Sequence, residues 1–169
     1  MRSIMGLLPT NSGEIYCINQ SIKKLQNHQI PNLGIGYMPE DRRLVPNLTV
    51  KENILLPAWA NQIKDSNSKL EKILNYIPEI KVFLNRKGLE LSGGQQKLAA
   101  LARALMIGDK LLLLDEPFEG VAPVLANRLL EVIETLKNSG LSVLLSESDL
   151  THSKKIIDKI YKIDRGEID

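Results

Sequence analysis

The chain has 169 residues, 43% of them hydrophobic, which is enough for one domain with its own core. Charged residues make up 25% of the chain and nearly cancel to a net charge of +2, so we expect no nucleic-acid partner. The single cysteine, Cys17, excludes an internal disulfide and fits a reducing compartment. Because no apolar run is long enough to cross a membrane and no secretory signal is recognisable, the sequence predicts a cytoplasmic protein.

Two short strands are predicted near the start of the chain. Residues 13–18 alternate loosely between apolar and polar side chains, which is typical of an exposed antiparallel strand. Residues 33–38 form a more apolar run that Pro39 stops, which indicates a short buried strand. A charged loop over residues 41–43 follows, and chemistry often takes place on loops of this kind.

A helical region is predicted to follow these strands. Thr49 and Glu52 have the spacing of a capping box, which indicates the start of a helix. Pro57 is expected to end or kink that helix. A second helix is predicted to start near Ser68, where apolar residues recur at helical spacing. We expect the two helices to form a helical insertion over about residues 49–89.

The second half of the chain alternates between helices and strands. The predicted elements are a helix over residues 95–106, a strand over 110–114, a helix over 124–137, a strand over 142–146, a short helix over 151–158 and a terminal hairpin over 160–168. Strands that alternate with crossover helices form a parallel sheet that helices cover on both faces. The pattern therefore predicts an α/β fold.

The most distinctive local motif is Ser92-Gly93-Gly94-Gln95, directly before a predicted helix. Glycines let the backbone approach a ligand closely, the first amides of a helix have no intrahelical acceptor, and the helix dipole adds partial positive charge. These features predict an anion site, to which Ser92 adds a hydroxyl donor and Gln95 an amide. The alternative is an ordinary glycine turn in which Ser92 is the N-cap of the helix.

A pair of acidic residues, Asp115 and Glu116, follows the apolar strand over residues 110–114. In a parallel α/β sheet, ligands bind at the carboxyl ends of the strands, where this pair lies. Asp115 is a candidate ligand for a nucleotide-bound Mg²⁺ ion, and Glu116 is a candidate for polarising the attacking water. The alternative is that both are solvated carboxylates at a strand end.

Together these residues resemble the motifs of the ABC ATPases. Residues 92–95 resemble the ABC signature motif, and residues 111–115 followed by Glu116 resemble the Walker B strand with its catalytic glutamate. Residues 119–123 resemble the D-loop. Four further stretches resemble the corresponding parts of branched-chain amino-acid importer ATPases, namely residues 4–9, 12–15, 34–40 and 46–53. The resemblance covers essentially the whole chain and implies a P-loop NTPase-like fold.

The resemblance also implies cofactors, partners and a location. The cofactors are ATP and Mg²⁺, and the partners are a second ABC ATPase subunit, in a homo- or heterodimer, and transmembrane permease subunits. Such a subunit lies in the cytoplasm, peripheral on the inner face of the cell membrane. In the head-to-tail dimer of the family, Ser92, Gly93 and Gly94 would contact the γ-phosphate of ATP held by the partner. Glu40 occupies the place of the Q-loop glutamine, where a carboxylate can still bind the metal or its water.

Two departures from the family pattern stand out. No G-x-x-x-x-G-K-[ST] loop occurs in the chain, and the family places this loop directly before the helix that here is expected to begin at Met1. We therefore expect the N-terminal strand and the P-loop to be missing, either because Met1 is an internal methionine of a longer protein or because the chain is a shortened paralogue. Ser148 stands in the place of the switch histidine, and the role is not transferred to His152.

Two functions are compatible with these observations. In the first, the chain belongs to a subunit whose full-length form hydrolyses ATP to power import of a small solute, such as a branched-chain amino acid. Without a Walker A loop, the chain as given is not expected to bind ATP in cis. In the second, it is a non-catalytic partner that supplies its signature motif to a companion ATPase with a Walker A loop. A soluble ABC protein that acts on nucleic acid is a weaker third option, because the chain is near-neutral and holds a single short cassette.

Overall fold

The computed structural model describes residues 1–17 and 19–168. The helices are α1 (Val50–Ala60), α2 (Ser66–Tyr76), α3 (Gly93–Leu105) and α4 (Pro123–Asn138). The strands are β1 (Tyr16–Cys17), β2 (Gln20–Ser21), β3 (Ile35–Met38), β4 (Leu111–Asp115), β5 (Ser142–Ser146), β6 (Ile163–Asp164) and β7 (Glu167–Ile168). Short 3₁₀ helices lie at Asn27–Leu33, Pro78–Phe83, Gly88–Glu90 and Ser153–Lys155.

A parallel sheet with the order β3-β4-β5 forms the centre of the fold. Its middle strand, β4, pairs Leu114 with Met38 of β3 on one side and Asp115 with Ser146 of β5 on the other. The strands are joined through helices, as parallel neighbours require. The predicted α/β fold with a parallel sheet is therefore confirmed.

Both faces of the central strand are buried. Leu112 and Leu114 pack on one face within a large apolar cluster that includes residues of all four helices. Leu113 points to the opposite face, where Met5 and Ile30 belong to a smaller cluster. Successive side chains of a strand alternate between faces, so an uninterrupted apolar run indicates a strand that is covered on both sides.

Helix α1 begins as predicted but continues past its proline. Thr49 caps it, because the Thr49 hydroxyl accepts a bond from the Glu52 amide at 3.2 Å and a Glu52 carboxylate oxygen accepts one from the Thr49 amide at 2.7 Å. Of the two expectations for Pro57, that it ends the helix is wrong, since α1 runs to Ala60, and that it kinks the helix stays a prediction. Within the described parts of the chain, no helix combines the length and apolar character needed to span a membrane.

The ends of the chain bring one confirmation and two corrections. Strands β6 and β7 form the predicted terminal hairpin, with Arg165 and Gly166 at the turn. The predicted helix over residues 151–158 is wrong, because this segment contains only the 3₁₀ turn Ser153–Lys155. The expected helix at Met1 is also wrong, since residues 2–6 form turns. Of the predicted strand over residues 13–18, only β1 is present, and it pairs antiparallel with β2, which lies beyond the predicted range. Residue 18 lies outside the described residues.

Candidate functional site

The start of α3 is built by a reciprocal cap. The Ser92 hydroxyl accepts a hydrogen bond from the Gln95 amide at 3.4 Å, and the Gln95 side-chain oxygen accepts one from the Ser92 amide at 3.1 Å. This capping box confirms Ser92 as the N-cap of the helix. It also leaves the first amides after the cap, those of Gly93 and Gly94, without an intrahelical acceptor. The N-cap interpretation and the anion site are therefore compatible.

Gly93 lies on the exposed side of this helix start. A side-chain carbon built on Gly93 would meet the nearest atom, the Arg42 Nη1, at 3.4 Å, which is an ordinary contact. The protein's own packing therefore does not require glycine at this position. What glycine provides here is the close approach of a ligand to the backbone amide, beside the guanidinium of Arg42 and the positive end of the helix dipole.

Asp115, the last residue of β4, is held from both neighbouring strands. The Tyr37 hydroxyl of β3 donates a hydrogen bond to Asp115 Oδ2 at 3.0 Å. The Ser146 hydroxyl of β5 donates to Asp115 Oδ1. Burial, followed by the bond to Asp115, raises the pKa of the Tyr37 hydroxyl to about 12, so this donor stays protonated at neutral pH. The two donors fix the orientation of the carboxylate at the edge of the sheet.

Glu116 occupies a strained turn directly after β4. Its φ of 47° lies in the left-handed region, which costs a non-glycine residue about 1–2 kcal/mol. The turn is held at both backbone groups of Glu116: its amide donates to the Ser146 carbonyl at 3.0 Å, and its carbonyl accepts a bond from Lys97 Nζ at 2.8 Å. Its carboxylate accepts a bond from the Ser148 hydroxyl at 3.5 Å. The carboxylate and the carbonyl of Glu116 are therefore bound by different parts of the protein.

A second carboxyl group, that of Glu147, lies beside Glu116. Glu147 accepts a hydrogen bond from the Phe118 amide at 3.4 Å. Burial first, and then the neighbouring Glu116, raise the pKa of Glu147 to about 7. A proton on Glu147 near neutral pH removes the repulsion between the two carboxyl groups.

Replacing Glu147 by glutamine is expected to change how stability depends on pH. Because the pKa of Glu147 is raised from 4.5 to about 7 on folding, the folded state binds more protons in this interval and wild-type stability falls as pH rises through it. Glu147→Gln removes that loss. The difference in free energy of unfolding between Glu147→Gln and the wild type should therefore grow from pH 4.5 to about pH 7 and stay constant at higher pH. Urea denaturation as a function of pH measures it, with Glu134→Gln on the exposed face of α4 as the control. An advantage independent of pH would contradict the assignment.

The loop after β3 is fixed onto the start and end of α3. Arg42 Nη1 donates to the Gln96 side-chain oxygen at 3.1 Å, and Arg103 donates to the backbone carbonyls of Arg42 and Arg43. Both loop arginines have left-handed φ angles, 61° for Arg42 and 49° for Arg43. Glu40 is exposed in this loop, next to the end of β3 and therefore at the same edge of the sheet as Asp115.

The residues at this edge fit a Mg²⁺ ion. Asp115 supplies a carboxylate, Ser146 a hydroxyl and the loop after β3 the carboxylate of Glu40. Mg²⁺ prefers such oxygen ligands and in nucleotide sites is usually held by one or two carboxylates together with substrate phosphates and water. The donor set thus suits a metal that is bound mainly by a nucleotide and anchored by Asp115.

Several functional neighbours were missed by the sequence analysis. Tyr37 and Ser146 hold Asp115, yet only the pairing of β4 with β3 and β5 brings them there. Lys97 was overlooked, although a lysine one turn after Gly93 among apolar residues is a recognisable signal. His152, to which the switch role was not transferred, is half-buried, and its ring centroid lies 5.9 Å from that of Phe118.

The fold and the site together define a class of protein. A parallel α/β sheet carries an oriented aspartate and a strained glutamate at the carboxyl end of its middle strand, and a capped, glycine-led helix lies beside it. Solved structures of this form are ATP-binding cassettes. A nucleotide-free ATP-binding cassette from an ABC transporter superposes with a TM-score of 0.83 at 29% identity, over 99% of this chain and 72% of that one. The ADP conformation of the cassette MJ1267 superposes with a TM-score of 0.81 at 30% identity, over 99% of this chain and 71% of that one.

Comparison of the sequence with known proteins gives the same class of protein as the comparison of structures. The family model described as ABC transporter matches residues 1–119, and the chain belongs to that family of ATP-hydrolysing subunits. It is 32% identical to the high-affinity branched-chain amino acid transport ATP-binding protein BraG of Pseudomonas aeruginosa and 31% identical to the probable branched-chain protein LivF of Archaeoglobus fulgidus, covering 99% of this chain and 72% of each. It is 30% identical to the lipopolysaccharide export system ATP-binding protein LptB of Haemophilus influenzae, over 98% of this chain and 69% of that protein.

Proposed function

We propose that this ABC transporter subunit hydrolyses ATP at an interface, where the start of α3 of one subunit and the Asp115–Glu116 pair of another bind the same nucleotide. One observation supports this arrangement most directly. Among the described residues, no hydrogen bond joins residues 92–95 to the carboxylates of Asp115 or Glu116, whereas α3 contacts Glu116 from the other side, at its carbonyl. This arrangement supports a site in which the anion site and the acid pair of one subunit contact different nucleotides.

Each residue of the proposed site has a separate task. Glu116 orients and polarises the water that attacks the γ-phosphate, and Ser148 bonds to its carboxylate in the place of the switch histidine. Asp115 anchors the metal, directly or through water. Mg²⁺, when bound, neutralises charge on the phosphates. Residues 92–95 of the other subunit supply amide and hydroxyl donors to the γ-phosphate, where charge develops during transfer.

The solute is proposed to be a branched-chain amino acid or a similar small molecule that is imported. Support comes from the likeness to BraG and LivF over nearly the whole chain. The likeness to LptB is almost as strong, so the choice depends on a direct test. We place the subunit in the cytoplasm, bound to the inner face of the membrane through permease subunits.

The permease is proposed to dock at a groove of about 270 Å³ between the loop after β3 and the helical region over about residues 49–89. Arg42 and Arg43 line one wall, and Pro46 and Leu89 line the other parts. This groove borders both the loop that carries Glu40 and the start of α3. A permease segment bound there would contact the two parts of the subunit that approach ATP.

Reconstitution of the assembled transporter in vesicles tests this function. Uptake of labelled leucine should require ATP and disappear in the Glu116→Gln transporter, while leucine should stimulate ATP hydrolysis in the wild type. Hydrolysis that responds to lipopolysaccharide and not to branched-chain amino acids would contradict the import proposal. The ATPase assignment would survive that result.

A second candidate function rests on one feature of the sequence. The 169 residues contain no G-x-x-x-x-G-K-[ST] loop, which holds the β- and γ-phosphates in this fold. A companion ATPase that owns such a loop could supply it, and this chain would then complete one composite site through residues 92–95. The two candidates differ in the role of Glu116, because only the first needs its carboxylate for turnover.

A further inference from the structure

Lys97 is a buried lysine on α3 for which the proposed function has no role. It is 1% exposed and is one of the largest fully buried side chains in the described structure. Its ammonium donates to the carbonyl of Glu116 at 2.8 Å and to that of Pro117 at 3.0 Å. Burial is also the main reason that the pKa of Lys97 is lowered. A lysine is rarely buried this deeply unless it is paired, so its partners here require an explanation.

Both partners of Lys97 belong to the strained turn after β4. Glu116 keeps its left-handed conformation only while the surroundings hold its backbone. The Ser146 carbonyl holds the amide of Glu116, and Lys97 holds its carbonyl. Charge-assisted bonds to two consecutive carbonyls fix the direction of the turn and hence the direction in which the Glu116 carboxylate projects.

The position of Lys97 on α3 connects this turn to the anion site of the same subunit. Lys97 lies four residues after Gly93, and residues with this spacing share one face of a helix. A shift of the helix start when its glycine amides bind a phosphate would therefore move Lys97 and the two carbonyls that it holds. Burial and the nearby Arg42 lower the pKa of Lys97, whereas Glu119 and Glu116 favour the charged form of its ammonium.

We infer that Lys97 is a positioning residue that connects the two nucleotide sites of the dimer through each subunit. It ties the helix start that binds one ATP to the backbone of the glutamate that acts on the other. This inference rests on the proposed function, because it assigns the two ends of the link to two nucleotides. It adds Lys97 as the residue through which binding of ATP at one site orients Glu116 at the other site.

The test compares variants of Lys97 in the assembled transporter. Lys97→Met keeps an unbranched side chain that is one atom shorter and removes all three donors, whereas Lys97→Arg keeps donors for both carbonyls. For Lys97→Met we expect kcat to fall by about tenfold or more, as for other small misplacements of a catalytic group. KM for ATP should change little, and the cooperativity of hydrolysis with ATP concentration should be lost. Lys97→Arg should restore much of kcat and the cooperativity.

The control separates positioning from simple loss of packing. Leu105→Ala removes a buried side chain at the far end of the same helix, and rates are expressed per folded molecule from circular dichroism. A purely structural Lys97 would give Lys97→Met the same kcat and cooperativity as Leu105→Ala, which would overturn the inference. If Lys97→Met does not fold, Lys97→Gln, with one amide group in place of the ammonium, decides by the same readouts.

Failure of the inference differs from failure of the proposed function. If the wild-type transporter hydrolyses ATP, Glu116→Gln abolishes turnover and Lys97→Met keeps both kcat and cooperativity, only the role of Lys97 is refuted. If Glu116→Gln retains turnover, the proposed function is refuted, and Lys97 then connects the helix start to a residue that is not the catalytic base. A lowered kcat with retained cooperativity would also contradict a connection between the sites.

Discussion

Replacing Glu116 by glutamine should abolish ATP turnover in the assembled transporter while ATP remains bound. Glutamine keeps the size of the side chain but cannot polarise water as a carboxylate does, and general bases of this kind contribute about a hundredfold or more to the rate. Loss of turnover without loss of binding leaves ATP trapped between the subunits. Phosphate release measures turnover, and retention of labelled ATP on rapid gel filtration measures trapping.

The control for this substitution is Glu71→Gln, which neutralises an exposed glutamate on α2. It should leave both phosphate release and ATP retention at the wild-type level. Turnover by Glu116→Gln at a rate close to that of the control would refute the assignment of Glu116 as the base. It would also favour the second candidate function, in which this chain supplies only its anion site.

Replacing Gly93 by alanine should have the second-largest effect, which is to weaken the retention of ATP between the subunits. The added carbon is tolerated by the fold, since its nearest neighbour lies at 3.4 Å, and alanine is the better helix former. It does, however, occupy the space through which a phosphate oxygen reaches the backbone amide. Loss of a hydrogen bond to a charged group costs about 1.5–3 kcal/mol, so retention of ATP should weaken by roughly tenfold to a hundredfold.

The double variant Gly93→Ala with Glu116→Gln sharpens this prediction. It should lose the trapped ATP that Glu116→Gln alone retains, while its free energy of unfolding stays within about 1 kcal/mol of that of the single variant. Ser68→Ala on the exposed face of α2 controls for alanine substitution elsewhere on a helix. Undiminished trapping in the double variant would exclude Gly93 from the nucleotide site.

The parts of the fold that depend on local chemistry were predictable from sequence. Both capping boxes, Thr49 with Glu52 and Ser92 with Gln95, involve side chains and amides within one turn, so the sequence alone defines them. The strand over residues 142–146 was predicted with its observed bounds, because a short apolar run indicates a strand. The expectation that this strand is buried is wrong, since its side chains are half-buried or exposed.

Elements decided by packing were harder to predict. Pro57 lies inside α1 because its neighbours Ile54, Leu55 and Ala58 are buried, and this burial outweighs the lost backbone hydrogen bond. The segment over residues 151–158 has too few buried apolar side chains to hold a helix, since short helices depend on packing for stability.

The acidic pair was also predictable only in part, because its position depends on neighbouring residues and its orientation on residues far away in the sequence. Asp115 and Glu116 were recognisable as strand-end acids, because an apolar run precedes them. The groups that orient these two acids come from β3, β5 and α3. They lie 19 to 78 residues away in the sequence, so the local pattern does not indicate them. The spacing of Lys97 from Gly93 is a signal in the sequence that was overlooked, and only the fold shows that Lys97 meets the turn after β4.

The structure of the Glu116→Gln transporter with Mg²⁺ and ATP decides whether two subunits share one nucleotide. We expect one ATP bound between two subunits, with the amides of Gly93 and Gly94 from one subunit and Asp115 from the other around the same triphosphate. The amides should lie at hydrogen-bonding distance, about 3 Å, from γ-phosphate oxygens. An ATP bound beside Asp115 with the start of α3 of every neighbouring subunit far from its phosphates would contradict it.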